Sequence, residues 1–270
     1  MEFGEASLPE QQQLLREALV REEFELYVQP IVALDARAGW HMAEVLIRLR
    51  QEEKALVPPG EFLPVFEQLQ MLPQLDSWVL RHVVQRHLHG KAGRTFSINV
   101  SGQTLQHAPF VRLFRQIIDA SGVPAKSVLF EIEESDIVAS AEAAQKFADG
   151  VQAVGGGIVI AGFGAHSLTH ASVKVLKPDY LKIDGSITRR VAHDYSCVFK
   201  CQSIRRLAET LGIGVIAECV ETRDALDRLT ACGIVLAQGY GICRPYPIDS
   251  VRGPSQVELN PSAVPAVRPA

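Results

Sequence analysis

Strand-like and helix-like segments alternate along most of this 270-residue chain, and this alternation limits the possible folds more than any other feature. Several strand-like segments are almost wholly apolar, as in GIVIAGF over residues 157–163. Strands that are apolar on both faces are typical of a parallel sheet covered by helices. About eight such strands, most of them followed by a helix, predict an α/β fold of the (β/α)8 TIM-like barrel type. An open, doubly wound sheet is the alternative.

The first two predicted strands, residues 24–34 and 41–49, lie too close together for a crossover helix between them. They should therefore form an antiparallel pair. We expect one barrel domain over residues 15–250. Residues 1–14 would be a linker that starts the first helix, and the proline-rich residues 251–270 a disordered tail.

Charge and composition exclude several classes of function. The formal net charge is -4, which disfavours general binding to a nucleic acid backbone. The sequence has no apolar leader-like segment and no run of ~18 apolar residues, so we expect a cytoplasmic protein without membrane insertion. The five cysteines follow neither disulfide nor zinc spacing and should be reduced thiols.

Polar side chains stand near the carboxyl ends of most predicted strands. They are Glu44, Asn99, Glu131 with Glu133, Lys182 with Asp184, Glu218 and Gln238. In a barrel these strand ends meet at one face, where active sites lie. Any one of them can be a structural polar group, but burying so many carboxylates together is costly without cations. Carboxylate and amide oxygens suit Mg²⁺, Mn²⁺ or Ca²⁺, so the pattern indicates metal-dependent phosphate chemistry.

Short motifs around these residues occur in a recognisable order. They are YVQPIV, AEVLIR, INVS, EIEES, LKID, AECVET, QGY and RPYP. In order and spacing they resemble the EAL family of cyclic di-GMP phosphodiesterases over nearly all of residues 15–247. Each motif alone is unspecific, but the ordered series is specific.

The resemblance implies a role for each matching position. Ligands of a first metal correspond to Glu44, Asn99 and Glu131, and residues around the attacking water to Lys182 and Glu218. The positions expected to contact cyclic di-GMP are Gln29, Glu44, Leu46, Arg48, Asn99, Glu218, Glu221, Gln238 and Pro245. Among them, Arg48 would pair with a phosphate, and Gln29 and Glu221 with guanine edges.

One departure from the family decides the expected activity. The family carries D-D-F-G after the fifth strand of the barrel, whereas this chain has Ala161-Gly162-Phe163-Gly164. Two-metal phosphodiesterases depend on both ions, and neither Ala161 nor Gly162 can ligate one through its side chain. We therefore expect a chain that is not an enzyme, with a vestigial metal site that can still take Mg²⁺ or Mn²⁺. Binding of cyclic di-GMP should need no cofactor.

Glu133, His166 and His170 are candidate replacement ligands. Glu133 should share a strand face with Glu131 and so come near the metal site. The two histidines fit a solvated loop better than a metal site. We expect that these residues do not restore a complete two-metal site.

The leading hypothesis is a catalytically inactive receptor that binds cyclic di-GMP and relays the signal by protein–protein interaction. The altered motifs resemble those of receptor-type family members that regulate type IV pili, which implies a PilZ-type partner. A homodimer is left open, because the loop after Gly164 departs from the family pattern. Two alternatives remain: an interaction module without nucleotide binding, and a slow residual phosphodiesterase that uses one metal.

Overall fold

This computed structural model describes residues 7–34, 40–50, 56–91, 93–166, 168 and 170–251, and eight of the ten strands found in them close into a barrel. The strands are β1 Phe24–Ala33, β2 Trp40–Arg50, β3 Leu56–Val57, β4 Phe96–Val100, β5 Val128–Glu133, β6 Gly157–Phe163, β7 Tyr180–Ile183, β8 Gly214–Ala217, β9 Leu236–Ala237 and β10 Tyr246–Pro247. Around the barrel the order is β1, β2, β4, β5, β6, β7, β8, β9 and back to β1. The short strands β3 and β10 extend the sheet beside β2 and β1.

Strand β1 runs antiparallel to both of its barrel neighbours, β2 and β9. All other barrel pairs, from β2 to β9, are parallel. The predicted α/β barrel with an antiparallel first strand pair is therefore confirmed. In the register of that pair, Gln29 stands opposite Glu44 and Ile31 opposite Met42.

Helices cover the outside of the barrel. They are α1 Leu8–Val20, α2 Pro59–Gln68, α3 Leu72–His82, α4 Gly102–Leu105, α5 Pro109–Ser121, α6 Glu134–Ala139, α7 Ala141–Val154, α8 His170–Leu176, α9 Gly185–Thr188, α10 Tyr195–Leu211 and α11 Arg223–Ala231. Residues 83–88 continue α3 as a π-helical turn. Helices α5 and α10 end before Gly122 and Gly212, which adopt the left-handed conformation that glycine commonly takes after a helix.

The apolar layer inside the barrel explains where the polar site lies. Ile31, Met42, Leu129, Val159, Ile216 and Leu236 form a buried cluster. Side chains two residues apart on a strand share a face. The next inward-facing layer therefore holds Gln29, Glu44, Glu131, Ala161, Glu218 and Gln238. Inside the barrel, an apolar layer therefore lies directly below a polar layer, and the polar layer is at the carboxyl ends of the strands.

A second apolar cluster flanks this polar end. Helices α1, α2 and α3 pack there against the start of β1 and the end of β2. Its buried members are Leu15, Ala18, Phe24, Leu49, Phe62, Phe66, Met71 and Leu75. The ring of Phe24 contacts Phe62 and Phe66 edge to face, with centroids 5.6 and 5.9 Å apart. This cluster fixes α2 and α3 beside the mouth of the barrel.

Several elements are shorter than their sequence pattern. Residues 128–135 have a strand-like pattern, but β5 ends at Glu133 because Glu134 begins α6. The strand-like residues 214–221 and 234–240 form strands only over Gly214–Ala217 and Leu236–Ala237. Residues 60–88 have a helical pattern throughout, yet α2 and α3 are separated at Gln70, which has a φ of 55°.

Most of the predicted tail, residues 252–270, and the predicted linker residues 1–6 lie outside the described part of the chain. Within the described part, no helix combines the length and the apolar character needed to cross a membrane.

Candidate functional site

Lys182 stands at the centre of the polar layer. Its ammonium donates hydrogen bonds to Glu44 Oε2 at 2.8 Å and to Glu131 Oε2 at 2.7 Å. A third carboxylate, Glu218, has its Oε2 atom 4.0 Å away. The lysine side chain is only 2 % exposed, so these contacts form in a medium that screens charge poorly.

The pKa values of these groups reflect burial set against mutual attraction. Burial is the largest influence on Lys182 and lowers its pKa, but Glu131, Glu44 and Glu218 outweigh it and raise the pKa above its usual value. Burial, followed by repulsion from Glu44, raises the pKa of Glu131 to about 7. Burial also raises the pKa of Glu218 to about 7. For Glu44, contacts with Lys182, Asn99 and Gln238 overcome burial and lower the pKa.

Side-chain amides fix the orientation of the Glu44 carboxylate. Asn99 Nδ2 donates to Glu44 Oε1 at 2.8 Å, and Gln238 Nε2 donates to Glu44 Oε2 at 2.7 Å. Gln238 Nε2 also donates to Gln29 Oε1, and Gln29 Nε2 donates to the Cys243 carbonyl oxygen. These bonds join β1, β2, β4 and the turn after β9 around one carboxylate.

Among the described residues of this site, two buried carboxyl or amide oxygens lack a hydrogen bond of good geometry, although the Ser97 hydroxyl lies close enough to Glu131 to lower its pKa. They are Glu131 Oε1 and Gln238 Oε1, each on a side chain about 2 % exposed. A buried acceptor without a donor is costly unless a ligand satisfies it. Together with Glu44 and Asn99, they form a hard oxygen donor set of the kind that suits Mg²⁺ or Mn²⁺.

The Ala161-Gly162 segment stands directly beside a carboxylate from the neighbouring strand. Ala161 pairs in register with Glu133. A Cβ atom built on Gly162 would lie 2.6 Å from Glu133 Oε2 and 3.9 Å from Asp184 Oδ2. Glu133 therefore fills the space that a side chain at position 162 would take.

Glu134 was missed by the sequence analysis, yet it holds the loop after β6. Its buried carboxylate accepts hydrogen bonds from the backbone N–H groups of Gly164, His166 and Leu168, at 2.9, 2.9 and 3.0 Å. The only sequence signal was a second charged residue directly after Glu133. The imidazoles of His166 and His170, weighed as replacement ligands, are on exposed residues.

A cavity of about 850 Å³ opens beside the polar layer. Leu46, Asn99, Glu131 and Glu133 line its barrel side, and residues of α2, α3 and α4 line the other side. Asp76 closes one wall and was not singled out from the sequence. Burial raises its pKa to about 6, although its carboxylate accepts hydrogen bonds from Ser101 and Thr104.

Three other predicted contact residues are Arg48, Glu221 and Pro245. Arg48 shares the face of β2 with Glu44 and Leu46; its guanidinium lies 5.6 Å from the Tyr27 ring centroid and donates to the Ile47 carbonyl oxygen. Glu221 is exposed, and Pro245 is half-buried beyond β9.

Comparison with known families identifies this arrangement. The family model for the EAL domain matches residues 12–245. The chain belongs to the EAL domain family. The match spans the barrel and all the predicted site residues, so the family resemblance in the motifs is confirmed. EAL domains in general use Mg²⁺ or Mn²⁺. In the described residues of this EAL domain, no group of three His, Cys, Asp or Glu side chains is positioned to bind a metal ion.

Similar proteins are named for cyclic di-GMP turnover. The EAL domain is 29% identical over 242 residues to the cyclic di-GMP phosphodiesterase PdeB of Shewanella oneidensis, with 87% of this chain covered. It is 30% identical over 240 residues to the cyclic di-GMP phosphodiesterase PdeF of Escherichia coli, again with 87% covered. It spans only 28% and 31% of the lengths of these two relatives.

Solved structures give the same picture. The phosphodiesterase MucR of Pseudomonas aeruginosa, in complex with c-di-GMP, superposes with a TM-score of 0.81 at 29% identity, covering 88% of this chain and 98% of that one. The FimX EAL domain from Pseudomonas aeruginosa, bound to c-di-GMP, gives a TM-score of 0.80 at 23% identity, covering 87% and 95%. The likeness to FimX concerns the fold.

The expectation that this chain is not an enzyme was wrong. Relatives at about 30% identity are named cyclic di-GMP phosphodiesterases, which points to enzyme activity. The expectation rested on the loss of the two aspartates at positions 161 and 162 and on the judgement that Glu133 would not replace them. In the structure Glu133 Oε2 stands only 2.6 Å from a Cβ atom built at position 162.

Proposed function

We propose that this EAL domain binds cyclic di-GMP at the barrel mouth and hydrolyses one of its phosphodiester bonds to give the linear dinucleotide. The observation that carries the proposal is the buried ammonium of Lys182 between Glu44 and Glu131, beside a cavity of about 850 Å³. The names of the relatives support the same reaction.

Charge balance argues for a divalent cation in the reaction. Glu44, Glu131 and Glu218 surround the single cation Lys182, and cyclic di-GMP brings two more negative charges. Glu44, Asn99 and Glu131 would hold Mg²⁺ or Mn²⁺, and the unpartnered Glu131 Oε1 fits this role. When bound, the ion supplies Lewis-acid polarisation of the phosphoryl group and activation of water.

The side chains supply the proton transfer and charge stabilisation. Glu218 is suited to accept the proton of the attacking water, because its pKa is raised by burial to about 7. Lys182 keeps its proton and stabilises the charge that develops on the phosphoryl oxygens. The P–O3′ bond breaks as the bond between the water oxygen and phosphorus forms. The products are a 5′-phosphate and a 3′-hydroxyl, whose oxygen takes a proton from solvent as it leaves.

Binding should involve residues outside the carboxylate layer. Arg48 would pair with a phosphate, Glu221 and Gln29 with guanine edges, and Leu46 and Pro245 with apolar faces of the ligand. Gln238 donates hydrogen bonds to both Gln29 and Glu44. A ligand that contacts Gln29 or Gln238 would therefore also affect the position of the Glu44 carboxylate, which is a proposed metal ligand. These contacts need no metal. We therefore expect binding in EDTA, weaker than in Mg²⁺.

The test combines product analysis with calorimetry. The chain is incubated with cyclic di-GMP and excess Mn²⁺, and the nucleotides are separated by chromatography. We expect linear dinucleotide from the unaltered chain and at least a ~100-fold lower rate from Lys182→Ala. Binding is titrated in EDTA and in Mg²⁺, where Arg48→Ala should weaken affinity about tenfold or more.

Arg50→Ala is the matched control for Arg48→Ala. It removes the next arginine on β2, two residues along the strand, which is exposed and lies near Glu25. Its affinity should match that of the unaltered chain. Intact ligand after long incubation in Mn²⁺, with normal binding, would rule out the hydrolysis. Equal losses from Arg48→Ala and Arg50→Ala would rule out the binding pose.

Relay to a PilZ-type protein, pilus regulation and homodimer formation stay predictions from the family resemblance. Sedimentation of the purified chain with and without cyclic di-GMP would test the homodimer directly.

A further inference from the structure

Arg189 and Cys219 lie side by side at the barrel mouth, over a glycine that leaves room for both. A Cβ atom built on Gly185 would lie 2.8 Å from the Cys219 sulfur and 3.0 Å from Arg189 Nη1. The N–H group of Gly185 donates a hydrogen bond to Glu218 Oε1 at 2.9 Å. The Arg189 guanidinium therefore lies between the segments that follow β7 and β8, close to the place where Glu218 enters the site.

The partner that holds this guanidinium leaves most of its donors available. The contact with the Cys219 thiol is the largest of the influences that raise the pKa of Arg189. A thiol is a weak acceptor, whereas a guanidinium has five N–H donors. Arg190, the next residue, is ion-paired with Asp194. In the part of the chain that the structure describes, Arg189 forms no such ion pair, and its side chain is exposed.

The carboxylate of Glu221 lies near Arg189 without being paired to it. Glu221 is exposed, and its charge contributes to the raised pKa of Arg189. The proposed function assigns Glu221 to the N–H groups of a guanine edge. The adjoining groups of the same base, O6 and N7, are hydrogen-bond acceptors that a carboxylate cannot bind. A guanidinium beside that carboxylate is suited to them.

We propose that Arg189 makes the site specific for guanine, by donating hydrogen bonds to O6 and N7 of the base whose N–H groups Glu221 accepts. The inference rests on the proposed binding of cyclic di-GMP and adds the residue that selects its base. The planar fork of a guanidinium can donate to O6 and N7 together. Adenine has an amino donor in place of O6, so the same arginine disfavours adenine nucleotides. Cys219 is a positioning residue, because its sulfur holds the guanidinium over Gly185.

A ligand analogue tests this assignment. In the analogue, both guanines of cyclic di-GMP are replaced by 7-deazaguanine, which has a C–H group in place of N7 and keeps the phosphates and the N–H groups. Binding of both ligands is titrated by calorimetry in EDTA. We expect the unaltered chain to bind the analogue about tenfold more weakly than cyclic di-GMP, because one hydrogen bond from a charged donor is lost. Arg189→Met should bind cyclic di-GMP at least tenfold more weakly than the unaltered chain does, and should bind both ligands with nearly equal affinity.

Arg190→Met is the matched control for Arg189→Met. It removes the adjacent arginine, whose partner is Asp194 on the surface, and should keep both the affinity and the discrimination between the ligands. Cys219→Ala should discriminate less than the unaltered chain, because Arg189 loses the sulfur that holds it. Thermal unfolding confirms that each variant is folded. Loss of discrimination in Arg190→Met, or full discrimination in Cys219→Ala, would contradict the assigned roles.

The base assignment and the proposed function fail in different ways. Equal affinity of the unaltered chain for the two ligands would overturn the assignment. So would an equal weakening of both ligands in Arg189→Met, which would mean that the arginine contacts a phosphate. The expected discrimination, with cyclic di-GMP left intact in Mn²⁺, would sustain the assignment and rule out the hydrolysis. No binding of either ligand to the unaltered chain would overturn both proposals.

Discussion

The ammonium of Lys182 lies 2.7 Å from Glu131 Oε2 inside the barrel, and both side chains are almost wholly buried. Glu131 and Lys182 come from β5 and β7, with β6 between them. They meet across Ala161, because the small side chain on β6 leaves the space open. The pair thus joins strands that do not hydrogen-bond to each other.

Replacing Lys182 by methionine should destabilise the metal-free protein by about 3 kcal/mol or more, because it leaves Glu44 and Glu131 buried without a counter-charge. Urea unfolding in EDTA measures this free energy. Adding Mg²⁺ should recover part of it, since the cation supplies the missing charge. Lys146→Met is the control, because Lys146 pairs with Glu142 on the surface, and it should leave the stability unchanged. Equal losses from the two variants would contradict a special role for the buried lysine.

Replacing Glu134 by alanine should release the loop after β6. The change removes three charge-assisted hydrogen bonds to the backbone N–H groups of Gly164, His166 and Leu168. We expect hydrogen exchange at these amides to accelerate at least tenfold, measured by NMR or mass spectrometry. Glu142→Ala should leave their exchange as it was. Unchanged protection in Glu134→Ala would mean that other contacts hold the loop.

Glu218 should make the metal-free protein less stable as pH rises. Because its pKa is raised to about 7 in the folded chain, the folded state binds its proton more tightly than the unfolded state does. The stability that this proton contributes is complete below the unfolded pKa near 4.5 and is lost as pH rises through about 7.

Glu218→Gln, which stays neutral, should therefore be more stable than the unaltered chain at pH 8, by on the order of 3 kcal/mol, and nearly equal to it at pH 4. Thermal unfolding in EDTA across this range is the measurement. A gain of the same size at both pH values would show that the effect is not due to ionisation.

Cys219 adopts a φ of 55°, a left-handed conformation that costs most residues about 1 kcal/mol. Cys243 is also half-buried but does not adopt that conformation. We therefore expect Cys219→Gly to lower the free energy of unfolding by about 1 kcal/mol less than Cys243→Gly does. Chemical unfolding of both variants gives the difference. A larger loss from Cys219→Gly would indicate that the contact between its thiol and Arg189 outweighs the backbone strain.

Local signals were enough to predict much of the site. Glu44, Asn99, Glu131 and Lys182 could be found because charged and amide groups are rare at the ends of apolar strands, and a barrel brings such ends together. Glu134 and Asp76 could not be found in this way. Each looks like a surface acid in the sequence, and only the loop or helix that packs over it explains its burial.

The sequence by itself determined the barrel, its antiparallel first pair and the set of polar strand ends, because side-chain periodicity and strand spacing are local properties. Only the tertiary structure decided how these groups combine. The register between β5 and β6 places Glu133 beside Ala161, and barrel closure brings Gln238, directly after β9, to Glu44 of β2. Such pairings depend on strand register and closure, which join residues far apart in the chain. For that reason the loss of two aspartates on one strand was a poor guide to the chemistry of the assembled site.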